Sequence, residues 1–439
     1  MQTFFLRALV FLCGMATLGI ELAASRLLRP FFGDSILVWA NIIGLILVYL
    51  TIGYYIGGRW ADRDPRASTL YRVIAWAGFA IGVLPFLARP LLQFAIPALE
   101  HLNAELGILA FGGTLILFSA PITLLGCVTP FAIRLNARAI SSTGATAGAY
   151  YALSTFGSIV GVFATVFILL AALGTRGTFL AYAFALMLGA LIGIWRETNR
   201  AQILRYTTLP FFIALIAIVD ARGAIKASAE VIYETDSAYN FIQVIQENDL
   251  RLLTVNEGQA YQSAYRPTTT LTGGIWDLFL LAPYFSSDSA PKNLLMLGLA
   301  AGTIAREYSD VYGALPIDGV ELDPAIIATG RKFFAMNQPN LNAIADDGRN
   351  FLRRAATYDV IALDAYRQPY IPFHLTTVEF FRETRAHLNP RGVVALNAAR
   401  TQSDYRLVDA LAATMRQVFP SVYLVDHPNN ANTLIVATN

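Results

Sequence analysis

The run Leu294-Leu295-Met296-Leu297-Gly298-Leu299-Ala300-Ala301-Gly302-Thr303 decides the fold of the C-terminal part of the chain. Four apolar residues without polar alternation suit a strand buried on both faces. A Gly-x-x-x-Gly turn follows, and then a helical run to about Asp310. The same strand-then-helix texture continues outward. Ile317–Leu322 reads as a strand and Pro324–Phe334 as its helix. Asn342–Ala345 is a short strand before Asp346-Asp347-Gly348 and a helix through Arg354. Val360–Leu363 ends at Asp364, and Thr377–Leu388 precedes a strand at Gly392–Leu396. This alternation predicts a doubly wound, Rossmann-like parallel sheet.

In such sheets ligands bind outside the carboxyl ends of the strands. Gly298, Gly302, Glu321, Asp347 and Asp364 all fall there. The set suits an adenosine. A glycine turn admits a ligand to the backbone, and an acid after the second strand, about 23 residues on from Gly298, accepts ribose hydroxyls. A later Asp accepts from the adenine amino group. The turn is not Gly-x-Gly-x-x-Gly, which favours a nucleoside over a dinucleotide.

Before this sheet the sequence predicts a small antiparallel meander. Phe241–Ile245 and Leu250–Val255 are β-rich, with Glu247-Asn248-Asp249 as a hairpin turn between them. A second turn at Asn256-Glu257-Gly258 leads into Ala260–Ala264.

The first half of the chain has a different composition. Of the 439 residues, 56% are hydrophobic and 14% charged, against about 25% charged in an ordinary soluble protein. Mean hydropathy is +0.51. Charges are sparse up to about Val219 and normal after Asp220. The expected division is a helical membrane unit over 1–222, the meander and a linker over 223–290, and the α/β unit over 291–439. A net charge of +2 gives no case for a nucleic-acid surface. Cys13 and Cys127 lie in apolar stretches and exclude a disulfide framework or a CxxC metal site. Four scattered histidines argue against a metal centre.

A spanning helix needs about 20 mostly apolar residues. Phe4–Ala24, Ser35–Gly57, Arg72–Ala88, Leu106–Gly126, Gly148–Leu170 and Thr178–Trp195 qualify, and Tyr206–Val219 is a short seventh. Leu91–Leu102, with Pro97, reads as an interfacial stretch. The first span carries Glu21 and is followed by more spans, so it is not a cleaved signal peptide. Gly157 with Gly161, and Gly189 with Gly193, are small-xxx-small pairs for close helix packing. Glu21, with Arg26 and Arg29 within two turns, is either a polar site inside the bundle or an interfacial salt bridge. The arginine distribution places the N-terminus in the cytoplasm, at the plasma (inner) membrane. Six spans would then leave the C-terminal unit inside, and seven would place it outside.

The C-terminal part resembles spermidine synthase, the aminopropyltransferase with a methyltransferase-like Rossmann fold. The resemblance runs from about Glu234 to Ala399. It rests on Asp236-Ser237-Ala238-Tyr239-Asn240, the turn from Gly258 to Gln262, Leu297–Glu307, Gly319–Pro324, Asp346–Phe351 and Tyr358–Asp364. The first half resembles the N-terminal region of membrane-fused spermidine synthase-like proteins, itself like half of a major-facilitator transporter. The matching strings are Gly14–Gly33, Gly57–Arg63, Pro121–Pro130 and Tyr150–Gly161.

The resemblance implies attack of an amine on the aminopropyl carbon of decarboxylated S-adenosylmethionine, releasing methylthioadenosine without a metal. It casts Glu321 as the ribose acid, Asp347 as the adenine-side acid and Asp364 as the acid that deprotonates or orients the acceptor. Tyr239, Gln262, Tyr366 and Arg367 fall on the acceptor side. Three departures stand out. Ala301 replaces an Asp that holds the cofactor's ammonium. Arg367 replaces a second Asp. The family's Tyr-His-Glu segment has no clear counterpart near Gly273–Asp277. Three activities are therefore expected in competition: aminopropyl transfer to a polyamine or related amine, transfer from S-adenosylmethionine to a lipid or anionic acceptor, and polyamine transport or sensing without chemistry.

Overall fold

Long apolar runs with charges gathered at their ends fold as helices because each helix satisfies its own backbone hydrogen bonds. The computed structural model describes the chain apart from residues 1, 34, 101–105, 138–142, 198–199, 221–229, 257, 259, 287–289, 367–370 and 430. Within helices it leaves the side chains of 2, 93–100, 106–111 and 200–201 undescribed. Two compact units divide at residues 229 and 230.

The first unit is helical. Helices α1 (Gln2–Phe32), α2 (Ile36–Arg63) and α3 (Ala67–Glu100) are followed by α4 (Leu106–Gly126) and α5 (Val128–Asn136), which meet at a turn on Cys127. Helix α6 (Thr143–Ala164) passes through a π-helical turn at Thr165–Leu169 into α7 (Leu170–Glu197), and α8 is Arg200–Val219. Ser35 caps α2 by accepting from the Val38 N–H at 3.3 Å, which satisfies one of the donors every helix start leaves free. The helical path breaks at Gly174 (φ 66, ψ −175). Thr178 Oγ1 donates to the freed Gly174 carbonyl at 2.8 Å.

Among the described residues six helices are long and apolar enough to cross a membrane, by length and composition. The one over 143–197 has 55 residues and contains the Gly174 break, so it comprises two arms. Two expectations shift. Helix α8 starts at Arg200, because its first turns are polar and carry no hydropathy signal. Helix α3 runs through Pro97 to Glu100 instead of yielding to a separate interfacial stretch, since one proline removes a single backbone donor from a long helix. Residues 101 and 102 of that stretch lie outside the described residues.

Close backbone approach organises this unit. A Cβ on Gly157 would sit 2.2 Å from the Phe11 carbonyl oxygen, and one on Gly161 would sit 2.3 Å from that of Met15. Both glycines thus hold α6 against α1. Gly189 faces the Leu9 side chain and Gly193 the Tyr71 ring, so that pair serves two different neighbours.

The second unit begins with a four-stranded antiparallel sheet in the order β1 (Val231–Asp236), β2 (Phe241–Glu247), β3 (Leu250–Val255), β4 (Tyr261–Tyr265). Strand β1 lacks apolar–polar alternation and the sequence did not announce it. Ile242, Val244, Leu253 and Val255 pack on Ala301, Ile326 and Phe334, so the meander shares a core with the glycine turn.

Helix α9 (Ile275–Leu278) and a 3-10 turn lead to the main sheet. Its elements are β5 (Leu294–Leu297), α10 (Thr303–Tyr312), β6 (Ile317–Glu321), α11 (Pro324–Phe333), β7 (Leu341–Ala345), α12 (Gly348–Leu352), β8 (Tyr358–Leu363), α13 (Val378–Ala386), β9 (Leu388–Ala399), α14 (Arg406–Arg416), β10 (Ser421–Asp426) and β11 (Asn432–Thr438). The strand order is β10-β11-β9-β8-β5-β6-β7. Strands β5 to β9 are parallel. The sheet as a whole is mixed, because β11 pairs antiparallel with β9 and β10 with β11. A purely parallel reading stopped at Leu396, before that closing hairpin.

The continuous apolar strands are explained by two cores. Leu295, Leu297, Ile361, Leu363 and Leu396 enter the core on one face. Leu294, Met296, Val360, Ala362 and Ala395 enter the core on the other. A side-chain period of two on a sheet covered on both sides leaves no polar position.

Candidate functional site

The order of connection reverses at β5, with β6 on one side and β8 on the other. That switch point leaves a crevice at the carboxyl ends. Gly298 follows β5 with φ +97, a conformation few side chains tolerate. A Cβ there would also lie 2.4 Å from the Asp364 carbonyl oxygen. The Asp364 N–H donates to the Leu297 carbonyl at 3.0 Å, locking the two strand ends together. Gly302 (φ +86) then turns the chain into α10.

Glu321 ends β6 beside this turn. One carboxylate oxygen accepts the Ala300 N–H at 3.0 Å and the other the Asp323 N–H at 3.0 Å. The carboxyl is half-buried, and loss of water outweighs these donors, pushing its pKa up to about 7. On the next strand end the Asp346 N–H donates to the Glu321 carbonyl at 3.1 Å. Asp347 caps α12, accepting the Asn350 N–H at 2.9 Å. Its other oxygen lies 3.4 Å from His374 Nε2. Arg349 donates to the His374 carbonyl at 2.9 Å and forks onto Glu383 at 2.8 Å, fixing the segment that carries the imidazole.

Asp364 ends β8. Asn397, near the end of neighbouring β9, donates to Asp364 Oδ1 at 2.8 Å. Burial pushes this carboxyl up to about 6, while hydrogen bonds from Asn397 and Trp276 hold it down. Asn397 is itself fixed by accepting from Asn432 at 2.9 Å. Tyr366 donates to the Asn397 carbonyl at 2.9 Å and accepts the Ala399 N–H at 2.8 Å. A carboxyl with a pKa near neutrality and fixed donors is suited to taking a proton from an incoming group.

Gly298, Gly302, Glu321, Asp347, Asp364 and Tyr366 therefore share one rim of the sheet. The meander joins it at two points. Asp323, fully buried, accepts from Ser237 Oγ at 2.5 Å and Asn240 Nδ2 at 3.0 Å, tying the turn that carries Tyr239 to the end of β6. Ser263 accepts the Ala301 N–H at 2.9 Å, placing neighbouring Gln262 alongside the glycine turn. Arg367 lies outside the described residues. Glu21 and Arg26 belong to the other unit, where Glu21 is half-buried on α1 and makes no ion pair among the described residues.

Sequence reading missed four side chains. Asp323 was visible as an acid before proline, the form of a helix cap, and its grip on the meander was not. Asn397 falls one residue past the last strand as read, where the strand-end rule finds it once β9 is drawn to its full length. Trp276 gave no signal. Glu307 is buried at 1% exposure. Burial, a hydrogen bond to Asp277 and the Asp277 charge push its pKa up to about 10, so it is a neutral carboxyl donating to Asp277.

Fold and rim place the second unit among Rossmann-like domains of the methyltransferase and spermidine synthase type. The spermine/spermidine synthase domain matches residues 282–436. The chain is 32% identical over 231 residues to a probable polyamine aminopropyl transferase of Bifidobacterium longum, covering 52% of this chain and 51% of that protein. It is 30% identical over 221 residues to a polyamine aminopropyltransferase of Vibrio vulnificus, covering 47% of this chain and 71% of the relative. A 25% identical alignment of 409 residues with a polyamine aminopropyltransferase of Mycobacterium tuberculosis covers 85% of this chain and 75% of the other, and so extends into the helical unit. The chain spans about half the length of the first of these relatives. It belongs to the spermine/spermidine synthase family.

Proposed function

We propose that the C-terminal unit transfers an aminopropyl group from decarboxylated S-adenosylmethionine to an amine. The observation that carries this reading is Asp364 held against Gly298 at the switch point, with Glu321 and Asp347 on the adjoining strand ends. Glu321 keeps acceptor capacity for ribose hydroxyls beyond its two backbone donors. Asp347 accepts from the adenine amino group. The nucleoside substrate supplies a sulfonium leaving group, so the protein's part is alignment and proton removal. The amine nitrogen's lone pair forms the new bond to carbon as the carbon–sulfur bond breaks. The bonding pair goes to sulfur, leaving neutral methylthioadenosine. Asp364 takes the proton released from the amine. Asn397 and Trp276 hold it in place for that transfer.

The acceptor carries fewer positive charges than a long polyamine, because Arg367 stands where the family's second Asp would add a carboxylate. A second reading is favoured by Ala301, where the family's Asp would hold the cofactor's ammonium. Ala301 is 2% exposed and sealed among Ile242, Val244 and Phe334. It puts no negative charge there to repel a carboxylate, which suits S-adenosylmethionine itself, whose amino-acid end keeps one, and a lipid or anionic acceptor. The deciding experiment incubates the purified chain with decarboxylated S-adenosylmethionine and putrescine and measures methylthioadenosine. Release at the family's stoichiometry of one per transfer is expected. No release with a panel of amines, together with tighter calorimetric binding of S-adenosylmethionine, would replace the first reading by the second.

We further propose that the helical unit lies in a bilayer of the plasma (inner) membrane, with the N-terminus cytoplasmic. Apolar helix length and the mycobacterial alignment through this unit support it. An alkaline wash of membranes should leave the full chain in the pellet. A C-terminal tag cleavable from one side reports the number of crossings, because an even number returns the α/β unit to the N-terminal side.

A further inference from the structure

A groove of about 470 Å³ opens in the helical unit between the end of α2, one face of α3, α4 and α8. Its long wall is a single stripe of α3. Thr69, Arg72, Val73, Trp76 and Ala80 recur at helical spacing along it. Ala120 and Leu124, one turn apart on α4, form the opposite wall, and small or apolar side chains continue to its far end. The polar groups gather at the other end, where Asp64 and Thr69 meet Arg72, with Trp60 and Tyr206 at the edge. From Thr69 to Ala80 the helix rises about 16 Å at about 1.5 Å per residue, close to half of a hydrocarbon core about 30 Å thick. One end is polar and the rest is apolar over the depth of one leaflet.

The charge at the polar end is not balanced. Asp64 is consumed internally. Arg66 engages both of its oxygens, one of them at 2.8 Å, and Thr69 Oγ1 donates to it at 2.7 Å. Arg72 has one guanidinium nitrogen on Gln202 Oε1 at 2.6 Å, but its buried Nε–H has no acceptor among the described residues. Two arginines therefore share one carboxylate, and a buried cationic donor is left over. A buried donor without an acceptor is unfavourable, and with the surplus positive charge the partner that fits is an anion. The apolar length of the groove requires that anion to carry a hydrocarbon chain.

We infer that this groove binds one anionic phospholipid, its phosphate on Arg72 and an acyl chain between α3 and α4. The inference rests on the bilayer reading of the helical unit. A cationic or polyamine occupant is disfavoured because the carboxylate is already neutralised and the free group is a donor.

The test uses the full chain, delipidated in detergent and examined by native mass spectrometry with phosphatidylglycerol, phosphatidylcholine or inorganic phosphate. One phosphatidylglycerol should be retained, with phosphatidylcholine and inorganic phosphate each bound at least about tenfold more weakly, as loss of a charge-assisted hydrogen bond or of chain burial implies. Arg72→Gln should erase the preference for phosphatidylglycerol over phosphatidylcholine. Ala80→Trp should weaken both lipids while leaving inorganic phosphate unchanged. Arg72→Lys keeps the charge and should retain most of the preference if Arg72→Gln destabilises the fold. Equal binding of the two lipids, an Arg72→Gln protein that still discriminates, or inorganic phosphate binding as tightly as the lipid overturns the inference. Release of the chain by the alkaline wash would instead remove the bilayer reading, and the two failures are read separately.

Discussion

Glycine does two unrelated jobs in the two halves of this molecule. In the helical unit Gly157 and Gly161 have ordinary helical backbones and matter because they lack a Cβ, which lets α6 lie on the carbonyls of α1. In the α/β unit Gly298 and Gly302 matter because their φ is positive. One unit uses small side chains to bring helix backbones close together, which on the bilayer reading replaces a hydrophobic drive that lipid does not supply. The other uses backbone freedom to bend a loop around a ligand space. Polar groups follow the same division. Among the helices they are scattered, several of them buried singly or in pairs such as Thr165 with Tyr182, and along the sheet rim they converge.

The sharpest way to break the functional side of this comparison is Asp364→Asn. Turnover should fall by about 10²–10⁴-fold, the usual worth of a positioned general base, while nucleoside affinity measured by calorimetry stays near that of the parent. Unchanged turnover would remove Asp364 from the chemistry.

The next effect sets the two kinds of glycine against each other. Gly298→Ala should abolish nucleoside binding, since it meets both an unfavourable φ and the Asp364 carbonyl. Gly161→Leu should cost about 1–3 kcal/mol or more through overpacking against backbone that cannot yield. It should lower the folded fraction in mild detergent and leave the soluble unit's ligand affinity intact. If Gly161→Leu impaired binding as strongly as Gly298→Ala, the two uses would not be separable.

The pH dependence comes next. Glu307 and Glu321 have folded values raised to about 10 and about 7 from an ordinary 4.5. The unfolded chain gives up these protons first, so this contribution to stability is complete below about pH 4.5 and is lost as pH rises through 7 and then 10. Thermal unfolding of the full chain should therefore show a falling midpoint between pH 5 and 9. Glu307→Met should flatten that slope and raise the midpoint at pH 9, because it removes a buried carboxyl that must stay protonated beside Asp277 and puts an apolar side chain of similar length in its place. A steeper slope in the variant would refute the assignment. Activity runs in the other direction, since Asp364 must be ionised to accept a proton, and turnover should decline as pH falls below about 6.

The smallest effect concerns Trp276→Phe. Its indole helps hold the Asp364 carboxyl down, so the acidic limb of the turnover profile should move up by about one unit, the worth of one hydrogen bond to a charged group. An unmoved limb would leave the positioning of Asp364 to Asn397 alone.

Much of this architecture was legible in the sequence. Strand ends at Leu297, Glu321 and Leu363 were marked by apolar runs stopping at glycine or an acid, because a strand buried on both faces tolerates polarity only where it emerges. The end at Ala345, on the half-exposed edge strand β7, was marked by the acids Asp346 and Asp347. The closing hairpin β10–β11, strand β1 and the extension of α8 were not legible. Strand β11 does carry a continuous apolar run, Leu434–Ala437, but its antiparallel pairing with β9 is not written in that run. Strands β1 and β10 and the start of α8 have an ordinary mixture of apolar and polar residues, and pairing or packing with distant segments makes them regular. Composition alone set the apolar half of the chain apart, because the free energy of burial depends on residue type before it depends on position, and the alternation of apolar strands with helices assigned the other half to an α/β sheet. Only the tertiary structure decided that Asp364 rests on Gly298, that Asp323 anchors the Tyr239 turn, and that Asn397 and Trp276 reach Asp364. These contacts join residues far apart in the chain, and local patterns carry no record of which distant backbone will lie beside them.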